Sequence, residues 1–293
     1  MTDPLVSVVI PTYNHARFLA EAIDSLLAQD YPRLEVVVVD DGSTDGTGEI
    51  LESYRDRIVF ERQANSGQSA ALNRGWALAR GEILSYLNSD DVLRPGAVRL
   101  AVDAFAAAPD ASFVYGDFEL IDLDSRVYRT VRTVESAFPE MVARFITVAG
   151  PGGFFRASAL ERAGGWDPHF KQNPDVDFLF RLGLTGRFVR IPAVMAAFRV
   201  HEGSQTYRVP SIERADEPLV IIERFFGRAD IPEPVRRRQH ASTAAAHVLA
   251  ARQHLRARRW GRFARHAGAA LGQHLPTVTT VRTARMWLGA LRP

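Results

Sequence analysis

Between Leu84 and Asp91 the chain reads Leu-Ser-Tyr-Leu-Asn-Ser-Asp-Asp. An apolar run from Ile83 to Leu87 stops at Asn88, Ser89, Asp90 and Asp91, and Pro95 and Gly96 then turn the chain away. The pattern is that of a buried strand ending in an acidic loop. In open α/β sheets such loops, at the carboxyl ends of strands, bind ligands, because the rigid strand beneath holds their polar groups in place. Two adjacent carboxylates repel each other unless something positive joins them. Standing alone, the pair is most simply a cap for the helix that follows. The alternative is a Mg²⁺ or Mn²⁺ site, since hard cations take oxygen ligands and commonly use one or two carboxylates plus phosphate oxygens.

Upstream, the same punctuation recurs. Val6 to Ile10 is a β-branched run ending at Pro11, and Glu35 to Val39 contains four consecutive valines bounded by Asp40, Asp41 and Gly42. Continuous apolar strands of this kind are covered on both faces, as in parallel sheets. His15 to Gln29 carries Phe18, Leu19, Ile23, Leu26 and Leu27 at helical spacing. Asp45 to Tyr54 and Gln68 to Ala79 read as further helices and Arg57 to Phe60 as a strand, so the order by Leu87 is β-α-β-α-β-α-β. That alternation predicts an α/β fold with a mixed, mostly parallel sheet flanked by helices. Downstream, Ala97 to Ala107 reads as a helix, Ser112 to Tyr115 as a strand, Leu120 to Thr133 as a hairpin or excursion, and Phe188 to Val200 as a strand broken by Pro192. Pro139 to Val148, Ala157 to Ala163 and Val176 to Leu184 read as helices.

If the first strands lie side by side, their polar ends converge. Pro11, Thr12, Tyr13 and Asn14 would then meet Asp41 and the Asp90 loop at one edge, with Gly42 letting backbone approach a ligand closely. Convergence of this kind favours a ligand site over a cap.

The motifs resemble those of the inverting glycosyltransferases of family 2, which have the GT-A fold. The matching segments are VVIPTYN at 8–14, VVDDGSTDGT at 38–47, GQSAALNRG at 67–75, YLNSDDVLRPGA at 86–97, GGFFR at 152–156, GGWD at 164–167, DVDFLFRL at 175–182 and FRVHEGSQT at 198–206. The resemblance implies transfer of one sugar from a nucleotide-diphosphate sugar, UDP-sugar favoured and dTDP-sugar next, to a hydroxyl of a glycan or lipid-linked acceptor. It also implies a nucleotide site formed by Pro11, Thr12, Tyr13, Asn14, Asp41, Gly67, Asn88, Ser89 and Asp90. Asp90 and Asp91 would hold Mn²⁺ or Mg²⁺, with His201 either a further ligand or a surface histidine. Asp175 would be the catalytic base, unless it is only the N-cap of the helix behind it. Two positions depart from the family pattern: Asn88 stands where many relatives have aspartate, and Pro174 where many have glutamate. They leave open a rival reading, a catalytically silent protein of the same fold that binds sugar nucleotide or glycan.

Composition bounds the rest. The chain has 293 residues and no cysteine, so disulfides and thiolate metal sites are excluded. No apolar run approaches the roughly 20 residues of a membrane-spanning helix, and the N-terminus lacks the basic start of a signal peptide. A cytoplasmic protein is expected. The net charge is +2, yet residues 232–293 hold twelve arginines against one acid, Glu233, leaving −9 for residues 1–231. Residues 1–228 are therefore expected to form the catalytic domain and 229–293 a basic helical extension, with Ala241 to Leu271 one or two helices and Gly261 a break. Those helices either pack on the catalytic domain with solvated arginines or lie on the inner face of an anionic membrane, where Met286, Trp287, Leu288 and Leu291 could insert. Nucleic acid is not expected as a partner, since no stacking platform accompanies the arginines.

Overall fold

The computed structural model describes residues 3–135, 137–147, 149–201, 203 and 209–290. The chain divides into two compact units, one of Met1–Glu135, Val148–Pro168 and Thr185–His201, the other of Ser136–Thr147, His169–Leu184 and Glu202–Pro293. The boundary expected after residue 228 does not coincide with this division, because the second unit draws in earlier segments and residues 212–226.

The first unit is built on a sheet ordered β3-β2-β1-β4-β8-β6-β9-β5, with β7 paired to β6. Its strands are β1 (Val6–Thr12), β2 (Leu34–Asp40), β3 (Val59–Arg62), β4 (Ile83–Tyr86), β5 (Val92–Leu93), β6 (Ala111–Ile121), β7 (Val127–Val131), β8 (Phe154–Arg156) and β9 (Arg187–Arg199). β1 runs parallel to β2 and β4, β2 to β3, and β6 to β9. The short strands β5, β7 and β8 pair antiparallel. The sheet is thus mixed and mostly parallel. The expected hairpin at 120–133 is β6 and β7. β9 continues through Pro192, and the disturbance expected there is a register shift, Gly116 pairing with Ile191 and Asp117 with Val194.

Strand periodicity explains the layers. Val6, Val8 and Ile10 of β1 and Val36 and Val38 of β2 share a core with Leu19, Ala22, Ile23 and Leu26 of α1 (Ala16–Leu27) and Val98, Ala101, Val102 and Phe105 of α4 (Ala97–Ala107). Alternate residues face the other way. There Val9 and Val39 meet α3 (Gln68–Leu78) at Gly75, so close that a Cβ on Gly75 would lie 2.2 Å from Val9 Cγ1. Helices on both faces are why β1 and β2 read as mostly apolar runs, with Ser7 and Glu35 buried as a hydrogen-bonded pair. Burying each valine contributes roughly 1.5–3 kcal/mol.

The second unit is helical: α5 (Phe138–Ala143), α7 (Pro174–Leu182), α8 (Ile212–Phe226), α9 (Glu233–Arg236), α10 (Gln239–Arg256), α11 (Trp260–Gln273), α12 (Leu275–Val278) and α13 (Val281–Ala290). The break in the basic tail falls before Gly261, at Ala257–Arg259, with Arg258 at φ +54°. Trp287, which the membrane alternative would insert, donates Nε1–H to Val248 O of α10 at 3.2 Å and packs edge-on to Phe263. Leu288 is exposed, and Leu291 lies outside the described residues. Among the described residues, no helix is long and apolar enough to cross a membrane.

Candidate active site

The parallel register brings the ends of β1, β2 and β4 to one edge, and the loops there bind each other through side chains. Asn14, in the left-handed region at φ +53°, donates its backbone N–H to Ser43 Oγ at 2.8 Å, and its Oδ1 accepts from the Thr44 N–H at 2.8 Å. Asp41 is buried, with its backbone N–H bonded to Thr12 O at 2.9 Å. Its Oδ1 accepts from Gln63 Nε2 at 2.7 Å and the Ser66 N–H at 2.8 Å, and its Oδ2 from the Gly67 N–H at 2.7 Å. A carboxylate offers about four acceptor positions, so Asp41 retains one. Beside it Thr12 Oγ1 is buried without a hydrogen-bond partner, and Tyr13 is exposed. Gly42 at φ +80° is required here: a Cβ would sit 3.0 Å from Asn65 N.

At the end of β4 the two aspartates have different surroundings. Asp91 is fully enclosed, accepting from the Arg199 N–H at 3.0 Å through Oδ1 and from Asn88 Nδ2 at 2.9 Å through Oδ2. Burial, and then the neighbouring Asp90 charge, push its carboxyl well above the usual carboxylate range. Asp91, expected among the metal ligands, therefore faces inward with both oxygens engaged. Asp90 points elsewhere: its Oδ2 lies 3.0 Å from His201 Nε2. His201 is not a free surface histidine, since its ring packs 5.4 Å from that of Phe18. Ser89 is buried and shares a 2.8 Å hydrogen bond with His15 Nδ1.

Asn88 also has a structural reason. It accepts from Gln68 Nε2 at 2.9 Å while donating to Asp91. An ionised aspartate in its place could not donate, and would add a further negative charge to the loop.

Sequence reading passed over the side chain that organises this loop. Arg199 is buried at 1% exposure. It donates to Asp90 O at 2.9 Å, to Asp122 O and Ser125 Oγ at 2.9 Å each, and to Glu21 Oε2 at 2.7 Å, with its guanidinium 5.0 Å from the Phe18 ring centroid. Its place two residues before His201 was the only signal in the sequence.

In the second unit Asp175 lies in the first turn of α7, where Pro174 supplies a fixed φ and needs no hydrogen-bond acceptor. The N-cap position belongs to Asn173, which makes no side-chain cap bond. Burial raises the Asp175 carboxyl above its ordinary range; the Val176 N–H and its own backbone N–H pull the other way, and the Glu217 charge adds to the rise. The loop before it is shaped by Glu217 of α8, whose buried carboxylate accepts from the backbone N–H groups of Lys171, Gln172 and Asn173 at 2.7, 2.7 and 3.0 Å. Asp177 is paired with Arg181 at 2.6 Å, so of this acidic pair Asp175 is the one outside that ion pair.

A sequence profile of glycosyl transferase family 2 matches residues 7–161. An uncharacterized glycosyltransferase of Nostoc sp. is 31% identical over 209 residues, covering 67% of this chain and 65% of its own length, so the chain spans just under two thirds of that relative. Among solved structures, S. aureus TarS 1-349 in complex with UDP-GlcNAc superposes with a TM-score of 0.64 at 19% identity, over 98% of this chain and 79% of that one. The mannosyltransferase PcManGT from Pyrobaculum calidifontis, in complex with GDP-Man and Mn²⁺, gives 0.63 at 24% identity, over 99% and 86%. At these identities the likeness is one of fold, the GT-A fold. With the profile matching more than half of its length, the chain belongs to glycosyl transferase family 2.

Proposed function

We propose that the chain transfers a single sugar from a UDP-sugar to a hydroxyl of a glycan or lipid-linked acceptor, with inversion at the anomeric carbon. The observation that carries the donor reading is the state of Asp41. Three of its acceptor positions are filled from Gln63, Ser66 and Gly67, and one acceptor position suits the single imino N–H of uracil or thymine. Guanine presents two adjacent donors on the corresponding edge. Pro11, Thr12, Tyr13 and Asn14 would line the nucleoside, with Asn88 and Ser89 toward the ribose. TarS, in complex with UDP-GlcNAc, is a fold neighbour consistent with this donor.

Asp90 and His201 fit a divalent ion. A carboxylate oxygen and an imidazole nitrogen lie 3.0 Å apart at the ligand edge of the sheet, and these are donor types that Mn²⁺ accepts. When bound, such an ion supplies positive charge beside the donor's diphosphate. Asp91 we assign to holding the loop. Asp175 is the proposed base: a carboxylate whose proton affinity is raised by burial accepts a hydroxyl proton more readily, a contribution of typically about 10²–10⁴ in rate. Glu217 positions it by holding the backbone from Lys171 to Asn173.

The test is Asp175→Asn. Donor binding, followed by calorimetry, is expected to stay within about twofold of wild type while transfer falls by at least about 10². Substantial residual transfer would remove Asp175 from the role. Loss of donor binding together with transfer would make it structural.

A further inference from the structure

The second unit holds a histidine cluster that the proposed reaction does not use. His240, His247 and His254 recur every seventh residue along α10 and so share one stripe. His247 and His254 meet His266 of α11, and Asp216 of α8 closes the group. Asp216 Oδ1 lies 2.8 Å from His254 Nε2 and 3.2 Å from His266 Nε2. The two imidazoles stack with centroids 5.2 Å apart, and both residues are buried, at 0% and 1% exposure. Arg262 Nη1 reaches the other carboxylate oxygen at 3.4 Å, and His266 Nδ1 lies 3.0 Å from His247 Nδ1.

Two buried nitrogens here have no hydrogen-bond partner, His254 Nδ1 and His266 Nε2. The second faces Asp216 Oδ1 at 3.2 Å without the alignment of a hydrogen bond. When the His266 ring donates from Nδ1 to His247, its Nε2 lone pair is turned toward the carboxylate oxygen of Asp216. Two acceptors in a buried site repel unless a cation lies between them.

We propose that Asp216, His254 and His266 bind a divalent transition-metal ion, Zn²⁺ in type, which clamps α8, α10 and α11 together. Two imidazoles and a carboxylate are a zinc donor set with a fourth position for water, and tetrahedral Zn²⁺ at ~2.0–2.1 Å from its ligands spaces them about 3.3 Å apart. The observed 2.8 and 3.2 Å approach that spacing. His247 supplies the outer bond that orients a ligating imidazole. On binding, the His254 hydrogen moves from Nε2 to Nδ1, freeing Nε2 for the ion. Mg²⁺, which demands oxygen ligands, does not suit the site.

Tag-free, chelator-stripped full-length protein is titrated with ZnCl₂ by calorimetry and with Co²⁺ by visible absorption. The expected result is one Zn²⁺ per chain at this site, a raised Tm, and the d–d bands of four-coordinate Co²⁺. His201→Ala, which alters the first unit, should retain this binding. Asp216→Asn, at a partly exposed position and checked for folding by circular dichroism, should weaken it by about 10-fold or more. Absence of Zn²⁺ binding and of any Tm change in the wild type would overturn the proposal, as would Zn²⁺ binding that folded Asp216→Asn leaves unchanged.

Discussion

Arg199 links the Asp90 loop to α1 and to the turn between β6 and β7, through bonds to Asp90, Glu21, Asp122 and Ser125. Arg199→Met keeps much of the stem's volume but leaves these acceptors without their buried donor. Breaking a buried charge pair from one side typically costs about 3–5 kcal/mol, and because Glu21 is partly exposed the loss should fall at the lower end, about 3 kcal/mol. Urea denaturation measures it, and a loss below about 1 kcal/mol would mean the network carries little. Such a residue was illegible in the sequence, since its partners lie up to 178 positions away. Glu217 escaped notice for the same reason, while Asp41, Asp90 and His201 stood out because each sits in a short motif. At Asp175 the raised carboxyl sets a pH dependence. The proposed base must be ionised to act, so on that proposal transfer should decline as pH falls through a value above the ordinary 3.8. A pH–kcat profile whose acid limb lies at or below 3.8 would contradict that environment.

At the scale of elements, legibility followed burial on two faces. β1, β2 and β4 appear in the sequence as apolar runs ended by polar loops, because helices cover both sides of the sheet. β5 and β8 span two and three residues, too short for any periodicity, and exist through pairing with β9, β4 and β6. α8 went unread because Pro218 interrupts it and the buried Glu217 breaks its apolar face. α3 shows what sequence pattern alone cannot convey: its glycine is a contact. Gly75→Ala would drive a methyl to within 2.2 Å of Val9 Cγ1, an overpacking that costs about 1–3 kcal/mol. Gly48→Ala in α2 (Thr47–Ser53) meets nothing within 4 Å and should gain up to about 1 kcal/mol. Parallel chemical denaturation of the two variants checks the contrast; equal effects would show that β1 and α3 can separate without cost.

For the molecule as a whole, one edge of the sheet gathers the loops after β1, β2 and β4 in the first unit, and Asp175 belongs to the second unit with the basic helices. Charge asymmetry alone suggested a separate tail from residue 229, but charge does not report packing: α10 contacts both α8 and α5. The tail's apolar residues are likewise divided between packed Trp287 and exposed Trp260, Leu275 and Leu288, a distinction that hydropathy cannot draw. The central claim is a metal-assisted uridine-nucleotide site on Asp41 and Asp90. Thermal unfolding with UDP, dTDP, GDP and CDP, each with and without Mn²⁺, on wild type and Asp90→Asn, tests it most directly. At 100 times its dissociation constant a ligand stabilises by about 2.7 kcal/mol. UDP should raise the Tm of the wild type only with Mn²⁺ and fail to do so in Asp90→Asn, with GDP and CDP weaker. A wild-type protein indifferent to every nucleotide, or one stabilised by UDP equally without metal and without Asp90, would contradict the account.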